Sequence, residues 1–226
     1  VRLIEKILGN GKKTIWDSEK PAMKKLRENL VWWINMKKEI EILFNQSSKI
    51  ISDSIKNLNE IEQSVNLILE CLNNDHKVIL FGNGGSAADA QHIAAELISR
   101  FKKDRKSLPA ISLTTDTSIL TSIGNDYSFD LIFSRQCESL VNMGDVVIGI
   151  STSGKSKNIL NGLNTAKKMG AHTIGLLGNS GGDIFKIVDI SIIIPSNSTP
   201  RIQEAHRTVY HIICELIENS ISMNHK

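Results

Sequence analysis

The 226-residue chain lacks any run of about 18 or more apolar residues, which excludes a membrane-spanning helix. Cysteine is scarce. Cys71, Cys137 and Cys214 lie far apart and form no C-x-x-C pair, so neither a disulfide framework nor a thiolate zinc site is expected. They read as buried free thiols of a reducing compartment, the cytoplasm. An excess of one charge is also missing: 27 Lys and Arg stand against 24 Asp and Glu, a net charge of +3. That balance is no electrostatic footprint for nucleic acid or an anionic membrane. Only 4 prolines and no repeat or low-complexity tract argue against fibrous and disordered classes. Val1 to Asn10 carries Arg2, Glu5 and Lys6, and so lacks the uninterrupted apolar stretch of a secretory signal.

What is present is ordinary globular material, 41% hydrophobic and 23% charged. Its length suits one full domain with an appendage. Residues 1 to about 75 read as helical, because Ile40, Leu43 and Phe44, then Ile61, Val65, Ile68, Leu69 and Leu72, recur at spacings of three and four. Gly9-Asn10-Gly11 and Pro21 punctuate the first forty residues as a looser extension. The Trp32-Trp33 pair there is expected to cap a core or to meet a neighbouring subunit.

From residue 77 the pattern changes. Val78–Phe81, Ala110–Leu113, Val146–Ile150, Thr173–Leu177 and Ile190–Ile194 are short, β-branched and apolar on both faces. Helical stretches alternate with them, which predicts an α/β fold: a doubly wound parallel five-stranded sheet flanked by helices, with a helical N-terminal part. Ile202 to about Ser220 predicts a closing helix. In such a sheet, ligands bind beyond the C-terminal ends of the strands.

Two of those strand ends are unusual. Phe81-Gly82-Asn83-Gly84-Gly85-Ser86 precedes a predicted helix over Ala87–Phe101. Its glycines permit positive φ and close backbone approach, Ser86 is placed to cap the helix, and the helix-terminal amides can face an anion. A tight turn with a cap explains this loop equally well. It matches neither the dinucleotide nor the P-loop pattern. Gly149 to Ser156 is more telling, because Ser151, Thr152, Ser153 and Ser156 crowd one strand-to-helix junction. One cap needs one hydroxyl; the others suit an acceptor-rich ligand such as a phosphomonoester. Lys155 either adds charge there or points to water.

His92 and Glu96 are four apart and share one helical face. Gln203 and His211, eight apart, lie about 80° from each other around a helix axis. Imidazole, carboxylate and amide oxygen together can hold a divalent metal such as zinc. The spacing alone fits a surface salt bridge as readily. His206, between the last two, reads as exposed or as a support behind them. A carboxylate beside a phosphate-holding loop suits proton transfer next to a carbonyl, as in aldose–ketose isomerisation of a sugar phosphate.

These residues resemble the sugar isomerase (SIS) domain family, and within it the branch that isomerises sedoheptulose 7-phosphate. The matching stretches are Gly82–Ser86, Gln91–Leu97, Gly124-Asn125-Asp126, Gly149–Ser156 and Arg201–His206, spread over roughly residues 40 to 221. The resemblance implies that Asn83, Gly84, Gly85, Ser86, Glu96, Asn125, Asp126 and Gln203 contact the sugar phosphate. It implies that Ser151, Thr152, Ser153 and Ser156 grip its phosphate. His92, Glu96, Gln203 and His211 would be the ligands of one zinc ion per subunit, with Glu96 and His211 as the acid–base pair. It further implies a homotetramer with sites formed between subunits, and a heptose phosphate product for lipopolysaccharide, capsule or other surface glycans. Pro200 stands where some relatives carry aspartate. Residues 1–35 are additional to the usual family length, leaving 36–226 as the SIS domain.

Two other readings stay within the same family. One is a non-enzymatic scaffold that binds a replication-initiator-type protein; it is expected to lack the carboxylate and the last-helix histidine, and this chain has both Glu96 and His211. The other is the sugar-phosphate-sensing domain of a transcription regulator, for which the N-terminal extension is short and has no suitable basic cluster.

Overall fold

The computed structural model describes residues 21–223. The expectations for Val1–Asn10 and for Gly9-Asn10-Gly11 fall outside them. The backbone divides into two compact units, Val1–Asn45 and Gln46–Lys226. Helix α1 runs from Pro21 to Asp53. Proline is tolerated at a first helical position because its missing N–H would have no intrahelical partner there. In the first unit Trp32 and Trp33 meet edge to face, 5.2 Å apart at 79°, and both are more than half exposed.

The second unit continues with a 3-10 turn (Ser54–Asn57) and α2 (Leu58–Asn73). Then come β1 (Val78–Gly82), α3 (Gly85–Ile98), β2 (Ala110–Ser112) and α4 (Thr117–Asp126). A 3-10 turn at Phe129–Leu131 leads to α5 (Ser134–Leu140), β3 (Val146–Ser151) and α6 (Lys157–Lys168). Last are β4 (His172–Gly178), a 3-10 turn (Ile184–Lys186), β5 (Ile190–Ile194) and α7 (Thr199–Met223). All five expected strands are present, each within a residue of its predicted end.

The strands form one parallel sheet in the order β2-β1-β3-β4-β5. The chain therefore reverses direction between β1 and β3, and the crevice at such a switch point is where doubly wound sheets take their ligands. β1 and β3 are buried along their whole length, as their unbroken apolar runs require. One face of the sheet packs on α2, α3 and α7 through Ile61, Ile68, Ile93, Leu97, Ile213 and Ile217. The other packs on α4 to α6 through Phe81, Ile123, Phe133, Ile159 and Leu163. Phe81 and Phe133 stack at 4.8 Å. Each such side chain is worth about 1.5–3 kcal/mol on full burial. At the β5 edge the Asn57 amide donates to the Ile193 carbonyl (3.1 Å) and accepts from its N–H (3.0 Å), closing a ladder that would otherwise stay open.

α3 starts before and stops before its predicted bounds. Gly84, at φ +56°, turns the chain within one residue, so the helix begins at Gly85 and Ser86 is a buried member of its first turn rather than its cap. At the other end the buried Glu218 carboxylate of α7 accepts the N–H groups of Phe101, Lys102 and Lys103. Arg105 donates to the carbonyls of Glu96 and Leu97. These bonds lead the backbone out of the helix after Ile98.

Candidate functional site

The junctions after β1 and β3 are tied to each other. Asn83 and Asn158 exchange amide hydrogen bonds in both directions at 2.9 Å, and Asn158 also accepts the Ile159 N–H. Asn158 is buried near the start of α6, two positions past the hydroxyl cluster. Nothing in its local spacing marks it.

At the β3 junction Ser151 is buried. Its Oγ accepts the Gly154 N–H (3.1 Å) and lies 3.3 Å from Ser156 Oγ. The Ser153 hydroxyl accepts the Lys155 N–H (3.2 Å). Thr152 holds the Asn179 amide on its carbonyl (2.9 Å). Gly154, at φ +65°, rests against the backbone of Gly181, where a side chain would overlap the carbonyl. The loop is thus fixed from behind by its own bonds. Ser153 and Lys155 face solvent, and Thr152 and Ser156 are half-buried. At the β1 junction a methyl group on Gly85 would overlap the Gln203 amide, so the absence of a side chain lets α7 lay Gln203 against the start of α3.

One turn and more along α3, the expected histidine and carboxylate meet. His92 Nε2 lies 2.8 Å from Glu96 Oε1. The His211 ring of α7 stands edge-on to His92, centroids 5.1 Å apart at 78°. One donor atom from each of His92, Glu96 and His211 lies within 4.8 Å of the other two. The pair is therefore no isolated surface salt bridge. His211 Nε2 is buried with no hydrogen-bond partner. An unpaired polar atom in such a place carries a desolvation cost, which a metal ion among these donors would relieve. Two imidazoles and a carboxylate are a donor set that zinc accepts, while the expected fourth ligand, Gln203, has its amide against Gly85 at the start of α3. Burial lowers the His211 pKa, which favours the neutral ring that a metal ion needs as a ligand.

Behind His92 sits a group that sequence reasoning missed. Its Nδ1 is 3.0 Å from the Tyr210 hydroxyl, which also lies 3.3 Å from Asp89 Oδ1. Arg207 donates to both, from Nε to Tyr210 (3.1 Å) and from Nη2 to Asp89 (3.1 Å). Burial, then the Asp89 charge, pushes the Tyr210 pKa up to about 12. Asp89 lies three residues before His92, a spacing that could have flagged it.

Other expected residues are placed differently. Asn125 and Asp126 end α4, exposed and bonded to each other at 2.8 Å. His206 is neither exposed nor shown supporting the donors: it is wholly buried, donating to the Leu177 carbonyl at the end of β4 (2.9 Å). It shares the inward stripe of Ile202, Ala205 and Val209, and burial lowers its pKa to about 4. Cys71, Cys137 and Cys214 are buried free thiols, raised by burial to about 11, 12 and 12. Among the described residues, no helix is long and apolar enough to cross a membrane.

The family model described as SIS domain matches residues 44–178. A phosphoheptose isomerase of Geotalea daltonii is 52% identical over 187 residues, covering 82% of this chain and 97% of that protein. A phosphoheptose isomerase of Nitratiruptor is 60% identical over 154 residues, covering 68% and 82%. The solved phosphoheptose isomerase of Neisseria gonorrhoeae superposes with a TM-score of 0.78 at 40% identity, covering 81% of this chain and 99% of that one. This chain belongs to the SIS domain family and, within it, groups with the phosphoheptose isomerases.

Proposed function

We propose that this chain is an aldose–ketose isomerase that converts D-sedoheptulose 7-phosphate to D-glycero-D-manno-heptose 7-phosphate through an enediol, for heptose-containing surface glycans. The observation that carries the reading is the convergence of His92, Glu96 and His211 from two helices, in a chain that also gathers four hydroxyl side chains at the end of β3. The 50–60% identity to proteins named phosphoheptose isomerase supports it.

Ser151, Thr152, Ser153 and Ser156 hold the phosphate, helped by the amides that open α6. Asn83, Gly84, Gly85 and Ser86 line the sugar, with Asn125, Asp126 and Gln203 as further contacts. The Glu96 carboxylate takes the proton from C1 of the ketose and returns it to C2. His211, whose pKa burial lowers, takes the proton of the C1 hydroxyl as that oxygen becomes the carbonyl, and the C2 oxygen gains one in exchange. His92, Glu96, Gln203 and His211 would hold one zinc ion per subunit, whose chemistry is Lewis-acid polarisation of the substrate oxygens. The working assembly is a homotetramer.

The test is to incubate the purified protein with D-sedoheptulose 7-phosphate, with and without added zinc, and follow the sugar by NMR. Conversion to an aldoheptose 7-phosphate is expected, with zinc dependence. No conversion under either condition by a tetrameric protein would favour a non-enzymatic scaffold.

A further inference from the structure

We infer that Tyr210, oriented by Asp89 and Arg207, is a positioning residue that holds His92 in the tautomer able to bind the metal. The inference rests on the zinc site proposed above and adds to it a chain of residues that touches neither metal nor substrate.

The Tyr210 hydroxyl has one proton and two lone pairs, and three neighbours within bonding distance: Asp89 Oδ1 at 3.3 Å, Arg207 Nε at 3.1 Å and His92 Nδ1 at 3.0 Å. Arg207 can only donate, so it takes one lone pair. Asp89 is buried, and as a carboxylate it can only accept, so the proton belongs to it. The remaining lone pair faces His92 and can be met only by an Nδ1–H. The opposite arrangement, with the hydroxyl donating to His92, would leave the two oxygens of Tyr210 and Asp89 facing each other without a proton. Arg207 Nη2 donates to Asp89 Oδ1 at 3.1 Å and closes the ring of bonds.

With one proton committed to Nδ1, Nε2 is the nitrogen left to a metal ion, which would take the place of the proton it shares with Glu96. That is the nitrogen 2.8 Å from Glu96, turned toward the group that His211 completes. Zinc-bound histidines usually donate their other N–H to an oxygen partner, which fixes the ring and raises its basicity. Here the partner is a tyrosine. The packing of its ring against His211, centroids 4.8 Å apart, means that one side chain braces both histidines.

The test uses the full-length protein. Tyr210→Phe keeps the ring and removes only the oxygen. Zinc affinity is read by competition with a chelating indicator, and ligand geometry by the visible absorption of the cobalt-substituted protein. Tyr210→Phe is expected to weaken zinc binding about 10- to 100-fold and to alter the cobalt spectrum. Asp89→Asn is expected to weaken zinc in the native background and to have no further effect in Tyr210→Phe. Zinc affinity within about threefold of native in Tyr210→Phe, with a superimposable cobalt spectrum, would overturn the inference while leaving the zinc site intact. An undiminished Asp89→Asn effect in the Tyr210→Phe background would overturn the relay through Tyr210. Native protein that takes up no zinc would overturn the site itself, and this inference with it.

Discussion

His206 and His211 sit five residues apart on α7, each with one buried ring nitrogen that lacks a partner, and they belong to different parts of the molecule. Five residues turn a helix by about 140°, which separates a core position from one at the site. His206 packs with Ile202, Ala205 and Val209, and its donated bond to Leu177 fastens α7 to the end of β4. His211 has no such bond. It faces His92 and Glu96, whose donor atoms converge with its own. An orphaned nitrogen points to a ligand only where other donors aim at the same place. At His206 it is the cost of using an imidazole as a core strut.

The strongest way to break this contrast is at the site. Glu96→Gln, similar in shape but unable to take a proton, is expected to lower kcat by about 10²- to 10⁴-fold, the usual weight of a general base. Secondary structure and oligomeric mass should be unchanged by circular dichroism and light scattering. Unchanged kcat would remove Glu96 from the mechanism. His206→Ala should do the reverse: about 2–4 kcal/mol of stability lost in urea unfolding, from the cavity and the undonated Leu177 carbonyl, with kcat per folded molecule retained. If His206→Ala abolished turnover without loss of stability, the separation of core and site histidines would fail.

The pH dependence sharpens the same contrast. His206 has a folded pKa near 4 against an ordinary value of 6.5, because burial disfavours its charged form. Below 6.5 the unfolded chain gains a proton that the folded chain refuses. Stability therefore falls as pH drops from 6.5 to 4, by up to about 1.4 kcal/mol per pH unit, and this contribution is flat above 6.5. His206→Gln, whose amide can still donate to Leu177, should flatten the slope in that window. The difference from native isolates His206 from His211, whose pKa burial also lowers. It leaves the more acidic loss belonging to Glu218, where three backbone N–H groups and Arg105 outweigh burial and lower the pKa. An equal slope in native and variant would show that His206 carries no such linkage.

The strands were readable because each is a β-branched run buried on both faces, as at Val146–Ile150, so composition and periodicity agree there. The end of α3 was not, because it is set by Glu218, which is far away in sequence. His92 and Glu96 were visible as neighbours on one helix, and Gln203 and His211 as a pair on another. That His211 converges with His92 and Glu96 depends on how α3 and α7 pack on one sheet face, which no local spacing encodes. Asn158, Asp89, Tyr210 and Arg207 escaped for the same reason: their partners lie on other elements. His206 is the instructive error. Its neighbours Gln203, Glu204 and Arg207 suggest a polar stretch, yet Ile202, Ala205, Val209 and Ile213 recur at helical spacing and place position 206 on their stripe.

The smallest expected effect separates the hydroxyl loop from the donor cluster. Ser151 and Ser153 use their oxygens to accept backbone N–H groups at Gly154 and Lys155, so the Ser153 hydroxyl proton remains available to an anion, as does one proton of the Ser151–Ser156 pair. A phosphate held far from the reacting carbons is bound alike in ground and transition states, so losing its donors removes uniform binding. Ser151→Ala with Ser153→Ala should raise KM by about tenfold, at about 1.4 kcal/mol for each tenfold, with kcat nearly unchanged. The same double change should weaken competition by inorganic phosphate in parallel and leave zinc affinity as it was. A fall in kcat at constant KM would instead place these serines with the reacting carbons, and the division between a gripping loop and a proton-moving cluster would have to be given up.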